Sequence, residues 1–156
     1  MTDVLANARP AYSDWSEPDS VLGMYVAQMD RLTDPVEPGV PLSLTVHGLL
    51  VSGELIPQWQ WFLEVSELND HEDAFYTGMA EHVKEMSDLA HGAIKLRDSG
   101  GEVTHRQHNA LMTPTRYIHL RDARIHSPDR IFDRPCLWRG RLSDVSGWTP
   151  GAQNSK

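Results

Sequence analysis

Hydrophobic and polar positions first fall into a regular pattern between Asp19 and Thr33. Val21, Leu22, Tyr25, Val26, Met29 and Leu32 recur at helical spacing there, with Asp19 or Ser20 available as the N-cap. The words DPVEPGVP, with Pro35, Pro38, Pro41 and Gly39, then stop the helix. Next the period changes to two. Leu42, Leu44 and Val46 alternate with Ser43, Thr45 and His47, the pattern of a half-buried strand. Gly48 permits a tight turn into a second strand from Leu49 to Ile56, where Gly53 predicts a bulge or sharp bend. The segment from Gln58 to Glu67 concentrates Trp59, Trp61 and Phe62 and reads as a strand extension or a short helix.

From Asn69 to Arg97 lies the longest helical pattern. Phe75, Met79, Val83, Met86, Ala90 and Ile94 form its apolar stripe, and Asn69 with Glu72 fits a capping box. Ser99, Gly100 and Gly101 end it, and EVTHRQHNALMTP reads as a loop. Two further strand-like stretches follow, TRYIHLRDARIHS and CLWRGRLSDVSGW, joined by a loop PDRIFDRP. In the first, Ile118 and Leu120 share one face and Tyr117, His119 and Arg121 the other. In the second, Trp138, Gly140 and Leu142 oppose Leu137, Arg139 and Arg141. Neither face is cleanly apolar, so both strands belong in a small, strongly bent sheet with covered edges. The expected organisation is a mobile arm over residues 1–18, one α+β domain over 19–148 with a long helical insertion at about 58–113, and a polar tail over 149–156. Tyr12 and Trp15 could anchor the arm.

Composition narrows the function. The chain of 156 residues is long enough for one core-bearing domain. Its 22 acidic and 14 basic residues give a net charge of −8, which opposes general nucleic-acid binding. The charge is segregated: Glu54 to Asp88 holds nine of the 22 acidic residues against a single lysine, while Arg116, Arg121, Arg124, Arg130, Arg134, Arg139 and Arg141 crowd the last third. Such segregation favours docking on a charged protein or self-association, with two solvated faces as the plain alternative. A lone cysteine, Cys136, fits a reducing cytoplasm and reads as a small buried hydrophobe. No apolar run reaches the roughly 20 residues that cross a bilayer, and the N-terminus lacks a secretion signal.

Candidate chemistry is sparse. His105 and His108 share a turn, and His47 sits at a hairpin turn, yet no carboxylate or cysteine completes a metal set at a recognised spacing. Acidic residues such as Glu67, Asp70, Glu72 and Asp73 stand at a helix start, where they complement the helix dipole. No nucleophile or phosphate-loop motif occurs. No catalytic residue, metal ligand or cofactor is therefore assigned. The tryptophans border the strands: Trp138 is expected inside, and Trp59 or Trp61 at a contact.

Two resemblances follow from the strand words. The order helix, LSLTV, LLVSGELI, YIHLRDARI, LWRGRLSDVSGW is similar to an Sm-like small barrel, with Leu120–Ala123 and Arg139–Gly140 where that family carries its last-strand motifs. The insertion from Pro57 to Thr113 departs from it. The words VHGLLVSGELI, YIHLRDARI and WRGRLSDVSGW resemble, over Val21 to Gly151, the gas vesicle accessory protein U family. That resemblance implies a non-enzymatic cytoplasmic protein acting in clustering or assembly of gas-filled protein vesicles. Its expected partners are a second copy of itself or the vesicle shell proteins, with neither nucleic acid nor a membrane. The expected contact surface comprises Trp59, Trp61, Phe62, Arg121, Arg124, Arg139 and Arg141. An Sm-like RNA-binding ring and a metal-dependent enzyme are the rival classes.

Overall fold

The computed structural model describes residues 18–69, 74–127 and 129–151, and the side chains of 130–133 are left aside. The arm over 1–17, with Tyr12 and Trp15, lies outside the described residues, as do Glu72 of the expected capping box, the acidic residues Asp70 and Asp73, and 152–156 of the tail. Among the described residues the chain forms α1 (Ser20–Asp30), β1 (Val40–Val46), β2 (Leu49–Leu55), α2 (Gln58–Leu68), α3 (Ala74–Asp98), α4 (His105–Met112), β3 (Tyr117–Ser127), β4 (Arg130–Arg141) and β5 (Val145–Pro150), with a 3-10 turn at Leu142–Asp144. The α+β class holds.

The strands form one antiparallel sheet in the order β4-β3-β2-β1-β5. The sheet is open, with β4 and β5 at opposite edges, so the bent sheet is realised and a closed barrel is not. Its curvature has identifiable sources. The register shifts between Ser52 and Glu54, and again in β3 between Leu120 and Ala123, where Asp122 takes a positive φ of 48°. Gly53 is required at the first shift, because a Cβ there would stand 2.9 Å from the carbonyl oxygen of Arg121. The β1–β2 hairpin turns on His47 (φ 49°) and Gly48 (φ 79°), the two positive φ values that match a tight turn to the sheet's twist.

One sheet face is apolar. Leu42, Leu44, Val51, Leu55, Ile118, Leu120 and Ala123 pack there against Leu22, Val26 and Met29 of α1, with Leu142 sealing the end. At roughly 1.5–3 kcal/mol for each large side chain buried, this face dominates stability. Asp19 starts α1 as expected, its carboxylate accepting from the Leu22 amide at 2.8 Å. Val21 and Leu32, expected in the apolar stripe, are exposed instead. Trp138, expected inside, is half-buried against this core and covers Gly140, where a Cβ would strike its ring.

The opposite face is polar and lies under α2. The tryptophan-rich segment is this helix. Its residues hold the α1–β1 connection in place: Gln60 pins Val36 through both its amide (2.9 Å) and carbonyl (3.3 Å), and Trp59 Nε1 donates to the Leu32 carbonyl at 2.8 Å. Behind α2 runs α3, on a face that overlaps the expected stripe: Ala90 is buried and Met79, Val83, Met86 and Ile94 are half-buried. Phe75 is exposed, and the buried residues are Ala80, Ser87, Ala90 and Ala93. Small side chains let helix axes approach closely, so the inward face of α3 is selected by shape rather than by hydrophobicity. Contact is direct where the Ser66 and Thr77 hydroxyls meet at 2.7 Å.

Four further expectations change. The stretch CLWRGRLSDVSGW, read as one strand, is divided by the turn at Leu142–Asp144 between β4 and β5, at opposite edges of the sheet. The segment read as a loop before β3 contains α4, started by a capping box in which Thr104 and Gln107 bond reciprocally. Most of PDRIFDRP belongs to β4, with Ile125 opposite Phe132; Pro135 is tolerated because β4 is an edge strand. Cys136, expected inside, is exposed on that edge, its thiol 3.5 Å from the Ala123 carbonyl and pushed upward in pKa by partial burial.

Candidate functional site

The polar sheet face arranges its side chains in three groups. The first centres on Arg121, 14% exposed, which the β3 bulge turns toward three carboxylates. Its guanidinium donates to Glu54 at 2.8 Å, to Glu64 at 3.2 Å and to Glu37. Burial opposes the charge on Arg121, and hydrogen bonds to Glu54 and Glu37 outweigh it, so the group stays protonated. Glu54 also accepts from the Gly39 amide at 3.1 Å. The acid-rich and basic parts of the chain therefore meet partly within one molecule, as they do again where Arg106 reaches Glu85 at 2.6 Å.

His119 organises the second group. It is 1% exposed, stands beside the ring of Trp61 at 5.5 Å and that of Phe62 at 6.3 Å, and accepts at Nε2 from Arg139 Nε at 3.1 Å. Burial, followed by the charge of Arg139, drives its pKa down to about 3, so it is neutral at physiological pH. The guanidinium of Arg139 lies 3.7 Å over the ring of Tyr117. Packed from both sides, this arginine is exposed yet fixed in place.

A cleft of about 780 Å³ forms the third group, and Arg139 belongs to it as well. It opens between the end of α1, the middle of α3, the end of α4 and the segment that enters β3. Its apolar lining includes Val83, Met86, Ala90, Leu111, Met112 and Pro114; its polar lining includes Asp30, Arg31, Arg116, Tyr117 and Arg139. Asp30 receives the Gln58 amide on Oδ1 at 2.9 Å, and its carbonyl accepts from the Ser87 hydroxyl at 2.7 Å. It thus ties the end of α1 to the start of α2 and to the middle of α3. Burial raises its carboxyl pKa to about 7, against the lowering effect of the Gln58 N–H. Beside the Asp30 carboxyl, the cleft offers the positive charge of Arg31, Arg116 and Arg139 against aliphatic walls. That is a binding chemistry.

The expected contact residues are dispersed by the fold. Trp61, Phe62 and Arg139 come together around His119, with Arg139 5.9 Å from the Phe62 ring. Trp59 and Phe62 are 4% and 5% exposed, so the expected aromatic patch is internal, because α2 turns these rings onto the sheet and onto Lys84, 4.6 Å from the Trp59 ring. Arg121 is engaged in its ion pairs, Arg124 is half-buried, and Arg139 and Arg141 are exposed. Asp30 and Arg31 carry no sequence signal of a site, and Arg116 stands out in sequence only as part of the arginine-rich last third. Among the described residues no group of three or more His, Cys, Asp and Glu could hold a metal ion, and His105 turns to Asn109 at 3.1 Å. No helix among them is long and apolar enough to cross a membrane.

The profile of a family described as gas vesicle protein GvpU-like matches residues 19–153, which takes in every element above. The chain belongs to the GvpU-like family. Gas vesicle accessory function is thereby assigned to it at the family level. No curated protein and no solved structure matches the chain. For this GvpU-like protein, the cleft and its fixed arginine supply the surface from which a more specific reading can be argued.

Proposed function

We propose that this GvpU-like protein is a non-enzymatic cytoplasmic accessory factor that acts in the clustering or assembly of gas vesicles by direct contact with the vesicle shell. The observation that carries this reading is Arg139, held at the cleft by the Tyr117 ring at 3.7 Å and by His119 at 3.1 Å. A guanidinium fixed before its partner arrives loses little freedom on binding. In a chain of net charge −8 it also marks a local site for an acidic protein surface. Of the expected contact surface, Arg139 and Arg141 are exposed to such a partner and Arg124 is half-buried.

Self-association through charge alone has less support, since Arg121 and Arg106 already find their carboxylates within the chain. The test uses buoyancy. Purified protein mixed with isolated gas vesicles is expected to rise with them during centrifugation, and to be released as salt increases. Protein left entirely in the lower fraction at low salt contradicts the reading. Light scattering after size exclusion across a salt series measures self-association separately.

A further inference from the structure

We infer that the cleft is a receptor groove for an acidic amphipathic helix presented by a vesicle component. The inference rests on the contact reading above and names the chemistry of the segment that enters. Val83, Met86, Ser87 and Ala90 recur along α3 at helical spacing and form one wall, about 10 Å long at 1.5 Å per residue. Ala110 to Pro114 forms the facing wall. Two turns of an incoming helix fit that length, and the half-buried Val83 and Met86 are the α3 positions its apolar anchors would meet, Ser87 and Ala90 being 6% and 4% exposed beneath them. Each wall carries a methionine, Met86 and Met112, and Met112 is 66% exposed. Unbranched thioether side chains adapt to whichever apolar anchors arrive.

Charge selects among such helices. Arg31, Arg116 and Arg139 line the cleft, and its one carboxylate, Asp30, is occupied by the Gln58 amide. The lining is thus net positive within an acidic chain, so carboxylates on the polar face of the helix would find guanidiniums at the mouth. The aliphatic walls suit an apolar helix face. A polynucleotide would instead call for open aromatic faces on which bases stack, whereas the Tyr117 ring is already covered by Arg139.

The probe is a fluorescein-labelled synthetic amphipathic helix of about three turns, with leucine on one face and glutamate on the other, compared with a copy bearing glutamine at every glutamate. Anisotropy titration of the full chain is expected to show saturable binding of the glutamate peptide and about tenfold weaker binding of the glutamine copy. Arg116→Glu and Arg31→Glu are each expected to weaken the glutamate peptide by about tenfold, while Arg134→Glu, exposed outside the cleft, leaves it unchanged. Circular dichroism confirms that each variant is folded. Equal binding of both peptides, indifference to both cleft variants, or displacement of the peptide by single-stranded RNA at equal concentration overturns the groove. Vesicle flotation separates the two claims. If wild type and Arg116→Glu rise equally with vesicles, the contact reading stands and the groove falls; if wild type binds the peptide yet never rises, the groove stands and the vesicle reading falls.

Discussion

Arg139 and His119, directly opposite one another on β4 and β3, share a 3.1 Å hydrogen bond in which the guanidinium Nε donates to the imidazole Nε2. The bond joins an exposed arginine to a histidine sealed beneath Trp61 and Phe62. An imidazole that accepts at Nε2 holds its proton on Nδ1, and it cannot take a second proton without losing this contact. The position of the exposed charge therefore depends on the neutrality of the buried ring.

Acid should consequently destabilise the protein through His119. Its folded pKa, about 3, lies below the ordinary 6.5, so its stabilising contribution is complete above about 6.5 and is lost as the pH falls toward 3. His119→Phe, which keeps an aromatic ring against Trp61, is expected to flatten the wild-type decline in melting temperature between those limits. Parallel declines for the two proteins would show that His119 is not the titrating group.

Asp30 has the opposite sign. Its carboxyl is raised from 3.8 to about 7, so the folded state favours the protonated form. The stability this group contributes is complete below about 3.8 and is lost as the pH rises through 7. Asp30→Asn retains an oxygen for the Gln58 amide and carries no charge. The variant is expected to match wild type near pH 4 and to be more stable at pH 8 by on the order of 1–3 kcal/mol, read by urea denaturation. Equal stability at both pH values would sink this assignment.

Much of the fold was legible because its signals are local. The two-residue turn at His47 and Gly48, the break at Gly53, and the separation of Ile118 and Leu120 from His119 and Arg121 all follow from backbone geometry and period. The misreadings have physical causes. The segment of α4 reads as a loop because the helix is short and polar, and its start is marked only by the capping pair Thr104 and Gln107. Pro135 suggested a loop where an edge strand tolerates proline. Large apolar residues mark only part of the inward face of α3: Ala90, on the expected stripe, is buried, and close packing also selects the small residues Ala80, Ser87 and Ala93 flanking it. The cleft had no sequence signature: Asp30, Met86 and Arg116 meet only after three helices pack around the strand entry.

Removing Arg121 should expose the strain that it relieves. Arg121→Met would leave Glu54 and Glu64, both partly buried, near one another and near Glu37 with no cation between them. Loss of one member of such a set is expected to cost about 2–4 kcal/mol at pH 7, somewhat less than for a fully buried pair because Glu37 is exposed to solvent. Raising the salt concentration screens the repulsion among the carboxylates and should recover part of the loss. Denaturant midpoints at low and high salt measure it; a deficit that is unchanged by salt would mean that lost packing, rather than repulsion, is responsible.

Gly53 tests the bend itself. A Cβ at this position would meet the Arg121 carbonyl oxygen at 2.9 Å, the Ala123 Cα at 3.0 Å and the Ala123 Cβ at 3.3 Å. Two of these atoms are backbone, which cannot swing aside as a side chain would, so relief requires β2 and β3 to separate at their shared bulge. That separation would move Arg121 away from Glu54 and disturb Ala123 in the core, coupling a local clash to both faces of the sheet. Gly53→Ala is expected to destabilise the protein by about 1–3 kcal/mol, the usual range for overpacking. In a double-mutant cycle with Arg121→Met the two losses should be markedly less than additive, because the alanine already weakens the ion cluster. Full additivity would place the bulge and the cluster in independent parts of the structure, contrary to the geometry that joins them.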